Sequence, residues 1–199
     1  SLGDAACFSF YANKIITTGE GGMITTNNEE FYKKSTNLRD HAFSMERHFW
    51  HRYVGFNYRM TNIQAAIGLA QVENFDDLVN RRIQHAKLYS SLLEDIEGLT
   101  LPPVTEGIKN VFWMYSIILE DSFGIGRDEL RQRLAKRGIE TRTFFIPIHL
   151  QPIYYADYRD EMFPVAEELC RRGLYLPSAG GLTEQEIRFI SQSVRECRG

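Results

Sequence analysis

The sequence predicts an α/β first part followed by an α+β second part, and three observations support this prediction. Short β-branched segments surround a glycine-rich bend near the start, a long run of apolar residues at helical spacing follows, and strand and helix patterns alternate after that run. Chains that mix the two periodicities in this way build layers of helix and sheet around a core. With 199 residues, of which 43% are apolar, the chain is long enough for one domain or two small ones.

The first strands lie around the glycine-rich bend. Residues 5–10 form a run typical of a strand, residues 15–18 lead into the bend at 19–22, and residues 23–26 resume β-branched character. We therefore predict a strand over 5–10 and two short strands on either side of the bend.

A helix is predicted next, from Asn28, whose side chain can cap the first turn, to about Arg39. Phe31 and Leu38 are expected on its inner face.

Three histidines, His41, His48 and His51, follow in the segment 40–53, which has neither helical nor strand periodicity. Closely spaced histidines can hold zinc when a complete ligand set accompanies them. Here aromatic residues surround the histidines, and no carboxylate ligand pattern lies nearby. We therefore predict a polar, aromatic loop and no metal site.

The longest periodic stretch begins after Thr61, which we expect to be an N-cap, and ends at Gly98. Apolar residues recur there at spacings of three and four, over more than the about 11 to 12 residues of an average helix. The stretch is therefore one long helix or two helices in tandem. Such a helix can join two domains, and we predict a first domain over residues 1–80 and a small C-terminal α+β domain over 81–199.

Strand and helix patterns alternate beyond the proline pair at 102–103. We predict a strand over residues 112–119, a helix over 128–137 that is closed by Gly138, and a strand over 139–145.

The last part of the chain is predicted to be helical. Pro164 starts a short helix, and Thr183 and Glu186 form a capping-box pattern that opens a final helix. The inner face of this helix is expected to hold Ile187, Ile190 and Val194.

Charge and cysteine usage exclude several classes of function. The net charge of -3 offers no positive field that would gather nucleic acid or an anionic membrane, so we expect neither partner. No run of about 18 uncharged apolar residues occurs, and the first residues lack the features of a signal peptide. Cys7, Cys170 and Cys197 include no C-x-x-C pair, which favours reduced thiols in a cytoplasmic protein.

The most informative run is residues 8–23, in which Lys14 stands between apolar segments and is followed by hydroxyl residues and glycines. Partial burial favours the neutral amine that a Schiff base requires, and Ser9 offers a hydroxyl that can bind phosphate. The alternative is a solvated lysine beside a tight turn, which is what most loop lysines are. The run contains no Gly-Lys-Ser/Thr element and is therefore not a P-loop.

The same run resembles the cofactor-lysine segment of the DegT/StrS-type sugar-nucleotide aminotransferases, which are pyridoxal 5′-phosphate (PLP) enzymes of the aspartate aminotransferase fold. The resemblance continues through GFNYRMTNIQAA at 55–66, WMYS at 113–116 and GIETRTFFIPIHLQP at 138–152. The last two segments are most similar to the perosamine synthase branch, which aminates C4 of a GDP-linked 4-keto-6-deoxy sugar for lipopolysaccharide O-antigen biosynthesis. The resemblance implies the C-terminal part of the large domain of a fold type I PLP-dependent transferase, followed by the smaller α+β domain.

Carried over by position, the resemblance implies that Lys14 forms the Schiff base with PLP and moves the proton between cofactor and sugar. Ser9 is implied to bind the cofactor phosphate. A dehydratase branch of the family has His where this chain has Lys14, so transamination is favoured over dehydration.

Four further residues gain implied roles in binding. Asn57 occupies the family position that reaches across a dimer interface to the phosphate of the neighbouring subunit's cofactor, with Arg59 beside it. Arg142 and His149 lie in the segment that lines the sugar-nucleotide pocket of the family. A homodimer is therefore expected.

The implied function is the transfer of an amino group, expected from glutamate, to a nucleotide-linked 4-keto-6-deoxy sugar. Family members are about twice as long, and their N-terminal half supplies the carboxylate and the aromatic ring that hold the cofactor's pyridine ring. The chain therefore resembles the C-terminal half of such an enzyme, which a second chain can complete. The alternative is a non-catalytic fragment or relative that uses the fold for binding or regulation.

Overall fold

In the computed structural model, which describes residues 3–44, 46–47 and 49–199, the chain divides into two units, residues 1–78 and 79–199. Among these residues, the first unit holds a two-stranded sheet and the second a four-stranded sheet. His48 of the histidine segment lies outside the described residues. The domain assignment made from the sequence, with its boundary at residue 80, stays a prediction.

Strands β1 (Ala5–Ser9) and β2 (Gly22–Thr26) form the antiparallel sheet of the first unit, as the runs at 5–10 and 23–26 predict. The strand predicted over 15–18 is wrong. Thr17 and Thr18 instead direct their hydroxyl groups to backbone oxygens nearby, at 2.9 and 2.7 Å. Threonine side chains that bond locally in this way compete with strand pairing.

Helix α1 (Glu29–Arg39) forms as predicted, and the side-chain oxygen of Asn28 accepts a hydrogen bond from the Phe31 N–H at 2.9 Å. The expectation that Phe31 faces inward is wrong, because its side chain is exposed, whereas Leu38 is half-buried. No residue of α1 is buried. The helix therefore has an apolar side that the described part of its own unit does not cover.

Two helices in tandem, α2 (Asn62–Glu73) and α3 (Phe75–Leu93), occupy the long periodic stretch. Asn74 separates them, and its side-chain amide donates to the Ala70 carbonyl at 2.8 Å. The predicted N-cap is confirmed, because Thr61 and Gln64 form a complete capping box at the start of α2.

The sheet of the second unit is antiparallel, with its strands in the order β3-β4-β6-β5. The strands are β3 (Leu99–Thr100), β4 (Tyr115–Leu119), β5 (Arg142–Thr143) and β6 (Gly173–Leu176). The strand predicted over 112–119 thus forms as β4. No strand was predicted for β6, whose four residues are too short a run for a periodicity to appear.

Helix α4 (Arg127–Ala135) is closed by Gly138, which adopts a φ of 77°. The N–H of Ile139 then donates to the Leu134 carbonyl at 3.0 Å, so Ile139 completes the end of the helix. For this reason the strand predicted over 139–145 is wrong over most of its length, and only β5 pairs with β6.

Three helices complete the second unit: α5 (Pro152–Tyr158), α6 (Pro164–Arg172) and α7 (Glu184–Glu196). The sequence predicts α6 and α7 but not α5. Thr183 and Glu186 form the predicted capping box of α7, and the three apolar residues assigned to its inner face are buried. Among the described helices, none combines the length and the apolarity that a membrane span requires.

The core of the second unit joins side chains from α3, β4, α4, β6 and α7. Its fully buried members include Leu93, Ile117, Leu134, Leu174 and Val194. Two buried phenols, Tyr89 and Tyr115, stack in this core with ring centroids 4.8 Å apart.

Candidate active site

Lys14 lies in a loop that follows β1 and is closed by backbone hydrogen bonds. The Phe10 carbonyl accepts from the Thr18 N–H at 2.9 Å and from the Thr17 hydroxyl at 2.9 Å. The Lys14 N–H donates to the Tyr11 carbonyl at 2.9 Å, which forms a turn directly before the lysine side chain. Lys14 itself is half-buried. The loop therefore presents the amine from a backbone that is fixed on both sides.

Helix α2 supports this loop through two glutamines that sequence reasoning missed. The side-chain oxygen of Gln71 accepts from the Thr17 N–H at 3.3 Å, and the amide nitrogen of Gln64 donates to the Glu20 carbonyl at 3.1 Å. The side-chain oxygen of Gln64 is meanwhile used in the capping box. The position of Gln64 in a capping box was the available sequence signal, but it does not show that its amide also reaches another segment.

Two glycines, Gly68 in helix α2 and Gly21 near the loop, leave room for the Thr18 side chain. A Cβ at Gly68 in α2 would lie 2.9 Å from the Thr18 methyl carbon. A Cβ at Gly21, which has a φ of 151°, would lie 2.5 Å from the Thr18 hydroxyl oxygen. The buried Thr18 side chain therefore packs where larger residues would push the loop away.

Ser9, the second predicted cofactor-binding residue, is the last residue of β1 and pairs with Gly22. Its hydroxyl oxygen accepts from the Tyr11 N–H at 3.4 Å, and the residue is exposed. Ser9 therefore lies at the start of the loop that carries Lys14, with a hydroxyl that a ligand can reach.

Asn57 and Arg59 lie in a separate segment of the first unit, next to the end of α1. Asn57 forms an isolated antiparallel bridge with Asp40, and the Arg59 guanidinium pairs with the Asp40 carboxylate at 3.2 Å. Both residues are exposed.

Backbone strain marks the histidine segment. His41 and Ala42 have φ values of 58° and 53°, which non-glycine residues rarely adopt. Ala42 is buried beside Gly55, where a Cβ would lie 2.3 Å from the Ala42 nitrogen. His51 Nδ1 donates to the His41 carbonyl at 2.7 Å. Within the described ranges, no group of three His, Cys, Asp or Glu residues could hold a metal ion.

Arg142 and His149, both in the second unit, have different surroundings. Arg142 lines a cleft of about 540 Å³. His149 is not part of the lining; its ring lies against Phe163, with centroids 4.5 Å apart, and its Nε2 lies 3.0 Å from a Glu167 carboxylate oxygen. With only 10% of its side chain exposed, His149 is held against the start of α6 rather than presented to the cleft.

The donor set of the first unit fits PLP chemically. Lys14 offers a primary amine, which can attach an aldehyde carbon, on a loop fixed by hydrogen bonds. Ser9 offers an exposed hydroxyl, and Asn57 an exposed amide, of the kind that donate to phosphate oxygens.

Comparison with known proteins agrees with this chemistry. The sequence model of the DegT/DnrJ/EryC1/StrS aminotransferase family matches residues 1–195. The GDP-perosamine synthase of Caulobacter vibrioides is 45% identical over 188 residues, which cover 94% of this chain and 50% of that protein. The GDP-perosamine synthase of Escherichia coli O157:H7 is 38% identical over 196 residues, which cover 98% of this chain and 52% of that protein.

Solved structures share the fold as well. The aminotransferase TlmJ from Streptoalloteichus hindustanus superimposes with a TM-score of 0.89 at 27% identity, and the match covers 99% of this chain and 52% of that one. The chain thus spans about half the length of the curated relatives it matches. The mixed helix and sheet predicted from the sequence, as part of a fold type I transferase, is confirmed.

Proposed function

The chain belongs to the DegT/DnrJ/EryC1/StrS aminotransferase family, and from that premise we propose that it forms part of an enzyme that transfers an amino group to a nucleotide-linked keto sugar. The family's cofactor is PLP, which when bound supplies the electron sink for this chemistry. The observation that carries the proposal is Lys14, a half-buried lysine on a loop that helix α2 holds in place.

Each of the six predicted site residues has a defined task in this proposal. The amine of Lys14 would hold the cofactor covalently, and its Nζ would hold and move a proton. The Ser9 hydroxyl donates to the cofactor phosphate. Asn57 reaches the phosphate site of a second subunit, with Arg59 beside it, so the active assembly is at least a dimer. Arg142 and His149 belong to the side that receives the sugar nucleotide.

The finer assignments rest on similarity to the GDP-perosamine synthases. We assign a GDP-linked 4-keto-6-deoxy sugar as acceptor, glutamate as amino donor and the cytoplasm as location. Because the chain spans half the length of these relatives, a polypeptide that supplies the N-terminal half is part of the active assembly, whether in the same chain or in another.

The second candidate function is that of a non-catalytic relative that keeps the fold for binding or regulation. The observation in its favour is the coverage of only about half of each relative. The presence of Lys14 within the closed loop, with Ser9 at its start, favours catalysis, since a binding protein has no need of an amine there.

The test is substitution of Lys14 in the complete assembly. Lys14→Ala removes both the covalent link and the proton carrier, so we expect transamination to be abolished. Borohydride reduction followed by mass spectrometry should place the pyridoxyl group on the peptide that contains Lys14. Lys136→Ala, at an exposed lysine of the second unit, is the matched control and should retain both signals. Turnover by the Lys14→Ala enzyme without added amines, or a pyridoxyl group on another lysine, would contradict the assignment.

Sharing of sites between subunits has its own test. Lys14→Ala and the double variant Asn57→Ala, Arg59→Ala should each be inactive as pure dimers. If sites are shared across the interface, verified mixed dimers hold one intact site and recover part of the activity. Mixed dimers without any recovery would refute the role given to Asn57.

A further inference from the structure

Helix α2 turns a polar face, rather than an apolar one, toward the loop that carries Lys14. Among the residues of α2, all of which the structure describes, only Gln64, Gly68 and Gln71 are not exposed. Their spacings of four and three place them on one face of the helix. The large apolar side chains of α2 are exposed instead, at Ile63, Ile67, Leu69 and Val72. The contact between α2 and the loop therefore depends on hydrogen bonds and close approach.

Gln64 uses both the oxygen and the nitrogen of its side-chain amide. The oxygen accepts from the Thr61 N–H at 2.9 Å and from the Thr61 hydroxyl at 3.0 Å. The nitrogen donates to the Glu20 carbonyl at 3.1 Å, and that carbonyl also accepts from the Thr18 hydroxyl at 2.7 Å. One side chain therefore joins the start of α2 to the glycine-rich end of the Lys14 loop, which we define as residues 10–21.

The residues directly before the α2 cap, 56–60, are here called the Asn57 segment. On one side the segment is tied to the end of α1, because the Tyr58 N–H donates to the Arg39 carbonyl at 2.9 Å. On the other side its last residue, Met60, lies against the glycine-rich bend, where a Cβ at Gly21 would be 2.9 Å from the Met60 methyl carbon. The Asn57 segment therefore lies between the end of α1 and the Lys14 loop.

The two hydrogen-bonding tasks of Gln64 need different chemical groups. A capping box is completed equally well by glutamate, and a carboxylate near a helix N-terminus is also favourable. The capping box of α7 has Glu186 in the same position, where it accepts from the Thr183 N–H at 2.7 Å. An ionised glutamate has no N–H to donate, so it could not bond to the Glu20 carbonyl. The amide of Gln64 is therefore needed for the bond to Glu20 and not for the cap.

We propose that Gln64 is a positioning residue that ties the Asn57 segment to the Lys14 loop, so that one side chain sets the position of both. The inference rests on the proposed function, in which the Lys14 loop of one subunit and the Asn57 segment of the other serve the same cofactor. Each Gln64 thereby links the loop of its own site to the segment that serves the partner's site.

The variant Gln64→Glu separates the two tasks of the side chain. It keeps the acceptor oxygens of the capping box and removes only the donor to the Glu20 carbonyl. The matched control is Glu186→Gln, which makes the reverse exchange at the same position of the α7 capping box, outside the proposed site. Both variants keep a complete capping box, so neither helix should lose its first turn.

The first measurement is hydrogen exchange, followed by mass spectrometry, on the complete assembly without PLP. Gln64→Glu should speed amide exchange by about twofold to tenfold in both the Lys14 loop and the Asn57 segment, because the hydrogen bond that joins them is lost. The N–H groups of Thr18 and Tyr58 are the informative amides, since both donate to backbone carbonyls. Glu186→Gln should exchange like the parent in both places.

The second measurement places Gln64→Glu in one chain of a mixed dimer at a time. When the Lys14→Ala chain pairs with the Asn57→Ala, Arg59→Ala chain, the intact site takes the Lys14 loop from the second chain and the Asn57 segment from the first. Gln64→Glu should lower the kcat of this site by about twofold to tenfold in whichever chain it is placed. A residue that merely supports the loop would lower kcat only in the chain that supplies Lys14.

Two results would overturn the inference. One is amide exchange that rises in neither segment or in only one of them, and the other is a kcat effect confined to one of the two placements. Mixed dimers that are inactive even with the parent Gln64 would instead refute the sharing of sites in the proposed function. The exchange measurement then decides alone: faster exchange in both segments supports the link through Gln64, and unchanged exchange overturns it.

Discussion

The two units of the chain contrast in how they bury their apolar residues. In the second unit, side chains of five elements form a core in which many residues are fully buried. In the described part of the first unit, Ala42 is the only buried apolar residue, and helices α1 and α2 contain no buried residue. In the two strands of the first unit, every residue except Thr26 is also exposed.

This difference shows how far each unit stabilises itself. The second unit stabilises itself, because burial of apolar surface is the main favourable contribution to folding. The first unit carries Lys14, yet leaves Phe8, Met23, Ile24 and Val72 exposed, in a pattern typical of surfaces that another polypeptide covers. The proposed site with Lys14 thus belongs to the unit that leaves more of its apolar surface exposed.

The largest expected change in the free energy of unfolding comes from a matched pair of isoleucines, one in a strand of each unit. Ile117 in β4 is 0% exposed and Ile24 in β2 is 51% exposed. For the chain alone, Ile117→Ala should lower the free energy of unfolding by about 2–5 kcal/mol, because it leaves a cavity. Ile24→Ala should lower it by less than about 1 kcal/mol, as for other surface substitutions. Denaturant titration measures both values.

The same two variants can be compared again after a polypeptide that supplies the N-terminal half is added. Ile24→Ala should then become more destabilising, whereas the effect of Ile117→Ala should not change. An Ile24→Ala effect that is equally small with and without the partner would mean that the exposed strands of the first unit are not a covered surface.

A loss of stability of intermediate size is expected at high pH, and it arises in the second unit. Burial raises the pKa of Tyr115 to about 12 from 10.0, against the opposing effect of its hydrogen bond with Ser90, and burial also raises the pKa of Tyr89. The folded chain therefore keeps these phenols protonated at a pH where the unfolded chain releases the protons. Their contribution to stability is fully present below about pH 10 and is lost as the pH rises through about 12.

Tyr115→Phe tests this pH dependence. The variant should show a shallower loss of thermal stability above about pH 10 than the parent does. If thermal stability falls equally with rising pH in the parent and in the variant, the buried Tyr115 phenol does not contribute to the loss of stability at high pH.

The smallest expected effect is a decrease in kcat on loss of the hydrogen bond between α2 and the Lys14 loop. Gln71→Leu removes the acceptor of the Thr17 N–H, and the loss of one neutral hydrogen bond is about 0.5–1.5 kcal/mol. We expect about a twofold to tenfold decrease in kcat with little change in KM for the sugar nucleotide. Gln71→Glu keeps an acceptor oxygen and should restore most of kcat. If Gln71→Leu and Gln71→Glu behave alike, the hydrogen bond does not position the loop.

Much of the fold can be predicted from the sequence, because caps and periodicity are local signals. Asn28, Thr61 and Thr183 each mark the start of a helix, and all three form the expected caps. The strand at 15–18 failed because threonine hydroxyls bond to nearby backbone, which residue type alone does not reveal. The short strand β6 depends on pairing with β4, a contact between residues far apart in the sequence.

The candidate site was predictable only in part. The run around Lys14 carries its own signal, and the structure places Ser9 at the end of β1, directly before the loop that carries Lys14. The roles of Gln64 and Gln71 depend on α2 packing against that loop, so no pattern within α2 indicates them. Arg131 and Arg142 come together because α4 and β5 line one cleft, although nothing in their spacing predicts it.

The most direct test of this account compares cofactor binding by the chain alone with binding by the chain plus a polypeptide that supplies the N-terminal half. Lys14 and Ser9 give the chain one covalent link and one phosphate contact, while the groups that hold the pyridine ring lie elsewhere. Loss of even one charged hydrogen bond should weaken PLP binding by about tenfold to a hundredfold. We therefore predict weak binding and no transamination for the chain alone, and tight binding at Lys14 with turnover when the partner is present. A monodisperse chain that alone binds PLP equally tightly and transaminates fully would contradict the account.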